Sequence, residues 1–451
     1  MREQLTKSQS HRKTTEQNSL KIAAKVLLRK AHVIHGPNRE EQSVDIFIQD
    51  GKIVDYQPHI VSSFTEDVII FDLQGKLVFP GFLDLHVHFR EPGREDEETL
   101  HSGAEAAMAG GFTAVCTMPN TQPVTDNREI IEFIHRAMKQ HLVSVYPIAA
   151  ISRGQKGEEL VEMAELVEAG VVGFSDDGKS VANSLLLRRA LEYSRMFGVP
   201  IIEHCEDANL AADGAMHEGF VSTNLGLPAI PAIAEDIVVA RNIMLAEYTQ
   251  GKMHIAHVST AGAIELIRQA KAKGIHITAE ATPHHFTLTD ESVQSFDTNF
   301  KMNPPLRSAD HLQAIINGLC DGTIDAIATD HAPHSLEEKE VEFIAAPFGI
   351  IGLETALGLV NRQLVQPGKL SWDQVVTRLC HNPYRIIGLP APEIKVGAMA
   401  NLTIIDPNQR WIVDKHKMKS RSKNTPFHGW ELSGRVFAVM NNGYYYLNNH
   451  S

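Results

Sequence analysis

The sequence predicts an α/β protein in which a (β/α)8 barrel joins a small β-sandwich domain built by both ends of the chain. Eight short apolar runs recur between residues 79 and 334, and most precede a stretch with helical periodicity. Each run is continuously apolar rather than alternating, which is typical of parallel strands covered on both faces. Strand patterns rich in Val and Ile at both ends of the chain predict the second domain.

The segment before the barrel divides into a tail and several strand-like stretches. Residues 1–20 are polar and lack the apolar stretch of a secretory signal, so we interpret them as a disordered tail. KVLLRKAHVI, SVDIFIQDGKIVDY and VIIFDLQGKLV follow, with Gly and Asn turns between them. We expect residues 21–79 to form the first part of the β-sandwich.

The barrel strands are predicted from runs that each end abruptly in polar residues. In order they are FPGFLDLHVHF, FTAVCTMPN, VSVYPIAAIS, GVVGFSDDG, VPIIEHCED, KMHIAHVST, IHITAEATPHH and IDAIATDHAPH. Eight β/α units are the number in a (β/α)8 barrel, which we place at residues 80–393. NLTIIDPNQRWIV and GRVFAVMNNGYYYLN restore the strand pattern, so residues 394–451 would complete the β-sandwich.

Composition restricts the functional class. The chain has 451 residues, of which 43% are apolar and 22% charged, the balance of a soluble globular protein. No apolar run approaches the roughly 20 residues of a membrane helix. The net charge of −13 argues against a nucleic-acid binder. Four scattered cysteines without a CxxC pair indicate a reduced environment, so we expect a cytoplasmic protein.

Histidines are concentrated at the predicted strand ends, the catalytic face of such barrels. The chain has 23 histidines, and eight of them follow barrel strands. One strand-end histidine is easily structural, but eight on one face indicate a site. The eight are His86, His88, His204, His257, His284, His285, His331 and His334.

The spacing of several of these residues predicts a metal centre. His86 and His88 stand two residues apart on one strand, so both imidazoles face the same spot. Such a pair alone is more often structural, but four further candidates end later strands. These are Asp177, His204, His257 and Asp330. Four imidazoles and two carboxylates suit Zn²⁺, and six ligands indicate two ions that share a carboxylate.

Five motifs together resemble the dihydroorotase family of the cyclic amidohydrolase superfamily: DLHVHFREPG, MPNTQPVTDN, FSDDG, NPPLR and ATDHAPH. The resemblance covers about residues 25–450. It implies that His86, His88 and Asp330 bind a first zinc ion, that His204 and His257 bind a second, and that Asp177 bridges them. Many relatives bridge with a carbamylated lysine; this sequence resembles the bacterial branch with an aspartate there. Asp176 is interpreted as a turn or cap residue.

The resemblance also implies the substrate and the residues that hold it. The reaction would be the reversible interconversion of dihydroorotate and N-carbamoyl-L-aspartate in pyrimidine biosynthesis. Zinc-activated hydroxide would attack the ring carbonyl, with Asp330 as general base and then acid. Arg90 offers a planar fork for the substrate carboxylate. The other implied substrate contacts are His88, Asn120, Asn303, His334 and backbone groups near Phe348 and Gly349.

Two alternatives stay open at this point. An allantoinase or hydantoinase would share the metals, although Arg90 and two asparagines favour an acidic ring. An inactive homologue that supports aspartate transcarbamoylase would be expected to have lost metal ligands. We further expect a homodimer, the commonest soluble oligomer, and possible association with aspartate transcarbamoylase. The charged run at residues 337–343 is interpreted as a solvated loop or part of a lid.

Overall fold

Six strands form the N-terminal part of the fold. A computed structural model describes residues 20–21, 25–37, 39–60 and 68–448. The predicted tail lies outside these residues except for Leu20, which pairs with Tyr445 and so belongs to a strand. The first six strands are β1 Leu20–Lys21, β2 Lys25–Gly36, β3 Arg39–Gln49, β4 Lys52–Gln57, β5 Ile69–Asp72 and β6 Leu77–Pro80.

The middle of the chain supplies eight short parallel strands, each inside one of the eight predicted runs, and an additional pair. Every residue of the first two is buried, as expected for strands covered on both faces. The strands are β7 Phe82–Val87, β8 Phe112–Thr117, β9 Ser144–Pro147, β10 Phe174–Ser175, β11 Ile201–Glu203, β12 Met216–His217, β13 Ala229–Ile230, β14 Met253–Ile255, β15 Ile277–Ala281 and β16 Ala326–Ile327. Strands β12 and β13 form a separate two-stranded sheet.

Two single bridges close these strands into a ring. Strands β7-β8-β9 form one parallel sheet, and β10-β11-β14-β15-β16 form another. Ala149 bridges to Phe174 between the sheets on one side, and Val87 bridges to His331 on the other. The predicted (β/α)8 barrel is therefore confirmed. Because all its strands are parallel, their carboxyl ends meet at one mouth.

Helices cover the outside of the ring, and local sequence sets their ends. Thr99 caps α1 through Ser102, and Gly111 ends it in the left-handed region. The helices are α1 Leu100–Gly110, α2 Arg128–Met138, α3 Met163–Glu168, α4 Ser184–Arg195, α5 Ala208–Ala211, α6 Phe220–Leu225, α7 Ile233–Thr249, α8 Ala261–Ala272, α9 Ala309–Asp321, α10 Leu336–Lys339, α11 Ala356–Val360, α12 Trp372–Val376 and α13 Asn382–Ile386. Shorter 3₁₀ or π turns are Arg153–Gln155, Asp290–Ser295, Thr298–Phe300, Asn361–Val365, Thr377–His381 and Lys415–Lys417.

Both ends of the chain build the second domain, a nine-stranded, sandwich-like sheet. Its last strands are β17 Leu402–Ile412, β18 Glu431–Asn441 and β19 Tyr444–Leu447. The order is β1-β19-β18-β17-β6-β2-β3-β4, and β5 pairs with β2. Part of this sheet packs in a buried apolar cluster of its own that includes Val26 and Leu402, whereas its residues Phe79, Ile405 and Val436 belong to the barrel core. Within the described ranges, no helix has the length and apolar character to cross a bilayer.

Candidate metal centre

Six predicted ligands converge at the carboxyl ends of the barrel strands. Each is at most 5% exposed: His86, His88, Asp177, His204, His257 and Asp330. They form three overlapping groups in which the donor atoms lie within 4.8 Å of one another. The sequence-based expectation that these residues share one spot therefore agrees with the geometry.

Asp177 lies at the centre of the cluster. Its Oδ1 is 3.4 Å from His86 Nε2, and its Oδ2 is 3.4 Å from His88 Nε2. The same Oδ1 is 3.3 Å from His257 Nε2, and His257 Nε2 is 3.1 Å from His204 Nδ1. Asp177 thus contacts both histidine pairs, the position that a bridging carboxylate needs.

Asp330 approaches the first histidine pair from the last barrel strand. Its Oδ1 is 3.0 Å from His88 Nε2 and 3.6 Å from His86 Nε2. Asp330 has φ +48° and His257 has φ +29°, a region that residues other than glycine rarely adopt. Such strain typically clusters at functional sites because the surrounding structure must maintain it.

The donor atoms fit a bound cation. Ligands held tetrahedrally about 2.0–2.1 Å from Zn²⁺ lie about 3.3 Å apart. The separations of 3.4 Å for His86 and of 3.4 Å for His88 from Asp177 match this spacing. In addition, His86 Nε2 is buried and has no hydrogen-bond partner, although it faces two carboxylates. An unpaired buried nitrogen is costly unless a ligand satisfies it.

Both carboxylates are held in their ionised form. Burial acts to raise the pKa of Asp177, but the charge of His86 and the hydrogen bond with His257 lower it well below its ordinary value. For Asp330, burial is likewise outweighed by His86 and by the hydrogen bond from His88, which lower the pKa. Ionised carboxylates are the form that binds a divalent cation.

Asp176, the neighbour of the proposed bridge, has a different environment. Its Oδ1 accepts hydrogen bonds from the backbone N–H groups of Ile151, at 2.9 Å, and Ser152, at 3.1 Å. Its Oδ2 accepts the hydroxyl of Ser152. Asp176 therefore ties β10 to the segment after β9. The sequence-based interpretation of Asp176 as a turn or cap residue is not matched by a capping contact, because Asn183 caps the following helix.

A cavity of about 140 Å³ opens onto the cluster. Four predicted substrate contacts besides His88 line it: Arg90, Asn120, Asn303 and Phe348. Three residues that the sequence analysis did not single out also line it: Gly178, Met302 and Ala332. His334 and Gly349, although predicted, are not among the lining residues.

Arg90 is held along one edge. Its Nε donates to Pro333 O at 3.1 Å and lies 3.3 Å from Glu97 Oε2. Glu97 is 2% exposed and also contacts His334 and Arg94, so its charge is shared among three cations or potential cations. Because Nε is occupied, the guanidinium end is the part that remains for the cavity that Arg90 lines.

His334 and Gly349 lie behind the cavity wall. His334 contacts Glu97 Oε1 through Nδ1 at 3.0 Å and donates from Nε2 to Phe348 O at 2.8 Å. The Gly349 N–H donates to Lys301 O. Gly349 has φ +156°, and a Cβ there would lie 2.6 Å from the His334 ring, so only glycine fits. Both residues therefore support the wall in this structure rather than form it.

Sequence reasoning missed three buried polar groups around the site. Glu280 on β15 contacts His86 and His254, and Lys339 donates to Pro347 O and Gly349 O. Lys339 is 4% exposed, so the charged run 337–343 is not a fully solvated loop. The first of the two sequence-based interpretations of this run is therefore wrong at Lys339. A carboxylate inside the apolar run IHITAEA was the available signal for Glu280, whereas nothing in the run EEKEVEF distinguishes Lys339.

Comparison with solved structures shows the fold class. The chain matches an L-hydantoinase (dihydropyrimidinase) from Arthrobacter aurescens with TM-score 0.82 and 24% identity, covering 92% of this chain and 94% of that one. A dihydropyrimidinase from Brevibacillus agri matches with TM-score 0.81 and 20% identity over 94% and 95% of the two chains. At these identities the likeness concerns the fold alone. Together, this fold and the cluster of histidines and aspartates at the barrel mouth define a (β/α)8-barrel protein with a candidate metal centre.

Sequence comparison identifies the family within this class. A dihydroorotase from Pelotomaculum thermopropionicum is 52% identical over 419 residues, which are 93% of this chain and 97% of that protein. A dihydroorotase from Syntrophus aciditrophicus is 50% identical over 420 residues, covering 93% and 98%. Residues 75–263 also match the family model described as Dihydro-orotase-like. The chain belongs to the dihydroorotase family.

Proposed function

We propose that this protein interconverts dihydroorotate and N-carbamoyl-L-aspartate by reversible hydrolysis of the ring amide, a step of pyrimidine biosynthesis. The convergence of four histidines and two aspartates beside an arginine-lined cavity is the observation that carries the proposal. Two relatives about 50% identical over nearly their full length are named dihydroorotases, which supports the same substrate.

The proposed cofactor is zinc, with up to two ions per chain. His86, His88 and Asp330 would hold one ion, His204 and His257 the other, and Asp177 would be shared. Imidazole and carboxylate donors suit Zn²⁺. When bound, the metal supplies Lewis acidity, which polarises the ring carbonyl and makes water more acidic.

The side chains at the cavity supply orientation and proton transfer. Arg90 binds the substrate carboxylate through the terminal nitrogens of its guanidinium group, of which Nη2 lies 3.5 Å from His334 Nε2. The Oδ1 of Asn120 accepts from His88 Nδ1 at 2.8 Å, so the Asn120 amide N–H groups remain to donate to a substrate oxygen. Asp330 accepts the proton of the attacking water and returns it to the ring nitrogen as the C–N bond breaks.

The net negative charge of the chain means that binding of an anionic substrate needs positive charge close to the cavity. At −13, the chain repels its anionic substrate at long range. The metal ions and Arg90 offset this repulsion at the cavity. Allantoinase or hydantoinase activity is disfavoured, because a neutral ring substrate has no carboxylate for Arg90 to bind. The homodimer, association with aspartate transcarbamoylase and cytoplasmic location stay predictions.

One purified sample tests the function and the cofactor together. Zinc per chain is counted by elemental analysis, and dihydroorotate hydrolysis is followed by ultraviolet absorbance before and after chelation. We expect close to two zinc ions and turnover that chelation abolishes and zinc restores. Zinc near one with full turnover would refute the two-ion centre but keep the activity. Bound zinc with no turnover of dihydroorotate would refute the proposed reaction.

A further inference from the structure

Glu280 lies on β15 beneath the proposed metal centre and is 1% exposed. Each of its carboxylate oxygens contacts a different imidazole. Oε1 is 2.8 Å from His86 Nδ1, and Oε2 is 3.1 Å from His254 Nε2. The carboxylate therefore connects a predicted metal ligand on β7 with a histidine on β14 that has no place in the ligand cluster.

His254 anchors the far side of this contact. It is fully buried, and its Nδ1 is 2.8 Å from Thr278 Oγ1 on the neighbouring strand. Since both ring nitrogens are engaged, His254 cannot rotate without losing a hydrogen bond. Glu280 is in turn held on both oxygens, so its position behind His86 is fixed from two directions.

The contact determines which nitrogen of His86 faces the cluster. A carboxylate accepts from Nδ1–H, so Nε2 is the nitrogen turned toward the cluster, where a metal ion would replace any proton on it. That Nε2 faces Asp177 at 3.4 Å and Asp330 at 3.6 Å. The orientation needed for a metal ligand is thus set before any ion binds.

The other histidines of the cluster have weaker support. Behind His88, the acceptor at Nδ1 is the neutral amide oxygen of Asn120, at 2.8 Å. Beside His204, the carboxylate of Glu206 is 4.0 Å from Nε2. A buried carboxylate in direct contact makes an imidazole a stronger metal ligand than an amide does. His86 is therefore the histidine with the strongest carboxylate support among these three.

We propose that Glu280, held by His254, is a positioning residue that fixes the orientation of His86 and strengthens its binding of the first metal ion. This inference rests on the proposed metal centre, and it adds a residue that does not touch the ion or the substrate. It predicts that loss of the Glu280 charge weakens the ion held by His86 more than the ion held by His204 and His257.

The test compares zinc affinities by competition with a chromophoric chelator, in the absence of substrate. Glu280→Gln keeps the shape and removes the charge; Glu280→Asp keeps the charge and shortens the reach. Each substitution is expected to weaken zinc binding at the site that includes His86 by about 10- to 100-fold. Glu354→Gln is the matched control, because Glu354 is a partly buried acid that lies outside the metal cluster and accepts hydrogen bonds from the backbone N–H groups of Lys419 and Ser420.

A spectroscopic measurement separates positioning from a merely structural role. In the cobalt-loaded protein, Glu280→Gln should change the visible absorption of one cobalt ion. Without metal, the variant should have the same thermal midpoint as the parent protein. Unchanged zinc affinity and an unchanged cobalt spectrum in both Glu280 variants would overturn the proposal. So would an equal loss of affinity in Glu354→Gln. Because these readouts need no turnover, a parent protein that binds zinc but does not hydrolyse dihydroorotate refutes only the proposed function.

Discussion

Arg90→Ala tests whether Arg90 binds the substrate carboxylate. The Arg90 side chain is 12% exposed, so its ion pair with a carboxylate in the cavity is largely shielded from water. Removing one partner of a buried ion pair costs about 3–5 kcal/mol. Because every 1.4 kcal/mol is about tenfold, KM for dihydroorotate should rise roughly 10²- to 10⁴-fold.

The structure also indicates that this variant will fold. Glu97, the acid beside Arg90, keeps Arg94 Nη2 at 3.2 Å and His334 Nδ1 at 3.0 Å. Its buried charge therefore stays compensated after the substitution. We therefore expect the variant to fold, with a somewhat lower thermal midpoint because the Arg90 contacts with Glu97 and Pro333 O are lost.

The assay is steady-state hydrolysis of dihydroorotate over a wide substrate range, so that kcat and KM are resolved separately. Arg128→Ala is the charge-matched control, because Arg128 is exposed on α2 and forms an ion pair with Glu132. Its KM should change less than about fivefold, since exposed charges contribute little. A KM for Arg90→Ala no higher than that of the control would refute the carboxylate-binding role.

Three further substitutions test the site and the fold. Asp330→Asn should lower turnover by about 10²- to 10⁴-fold while zinc stays bound at His204 and His257, measured by activity and elemental analysis; full activity would end its acid–base role. Asp177→Ala should reduce zinc per chain, whereas unchanged stoichiometry would exclude it as the bridge. Burial, with His101 nearby, lowers the pKa of His141 to about 4, so the unfolded chain binds a proton there first as pH falls. The free energy of unfolding should therefore fall as pH is lowered from about 6.5 to 4, by at most about 1.4 kcal/mol per pH unit from His141. In denaturant titrations across this range, His141→Gln should show a smaller fall. The same dependence of stability on pH in the variant and the parent would contradict the role of His141.

The eight barrel strands were predictable because burial on both faces leaves a simple mark in sequence. A continuous apolar run such as that around β8, which is buried at every residue, differs from the alternation of a half-exposed strand. The polar residues that end these runs meet at one mouth, so the convergence of His86, Asp177 and Asp330 followed from topology alone. The choice of Asp177 over Asp176 agrees with the structure, but it came from the family resemblance.

The supporting residues were not predictable in the same way. Glu280 and His254 point into the barrel from the middle of strands, and their contact depends on the pairing of His254 with Thr278 across two strands. Lys339 is buried only because Pro347 and Gly349 fold back over it. His334 and Gly349 were assigned to the substrate through resemblance, whereas their own hydrogen bonds are made within the wall. The Glu280–His86 contact joins segments 194 residues apart, and the Lys339 contacts depend on a loop that leaves no mark in the local sequence pattern.

The sheet built from both ends of the chain has a consequence for biosynthesis. Phe82 N–H donates to Thr403 Oγ1, 321 residues later, and β6 pairs with β17 beside this contact. At about 5–20 residues per second, the ribosome needs roughly 15–65 s to make the intervening chain. During that interval β6 has no β17 to pair with, so its edge is open to chaperones or to other nascent chains. Completion of this domain must therefore wait until β17, β18 and β19 have been made, after the barrel strands have already been synthesised.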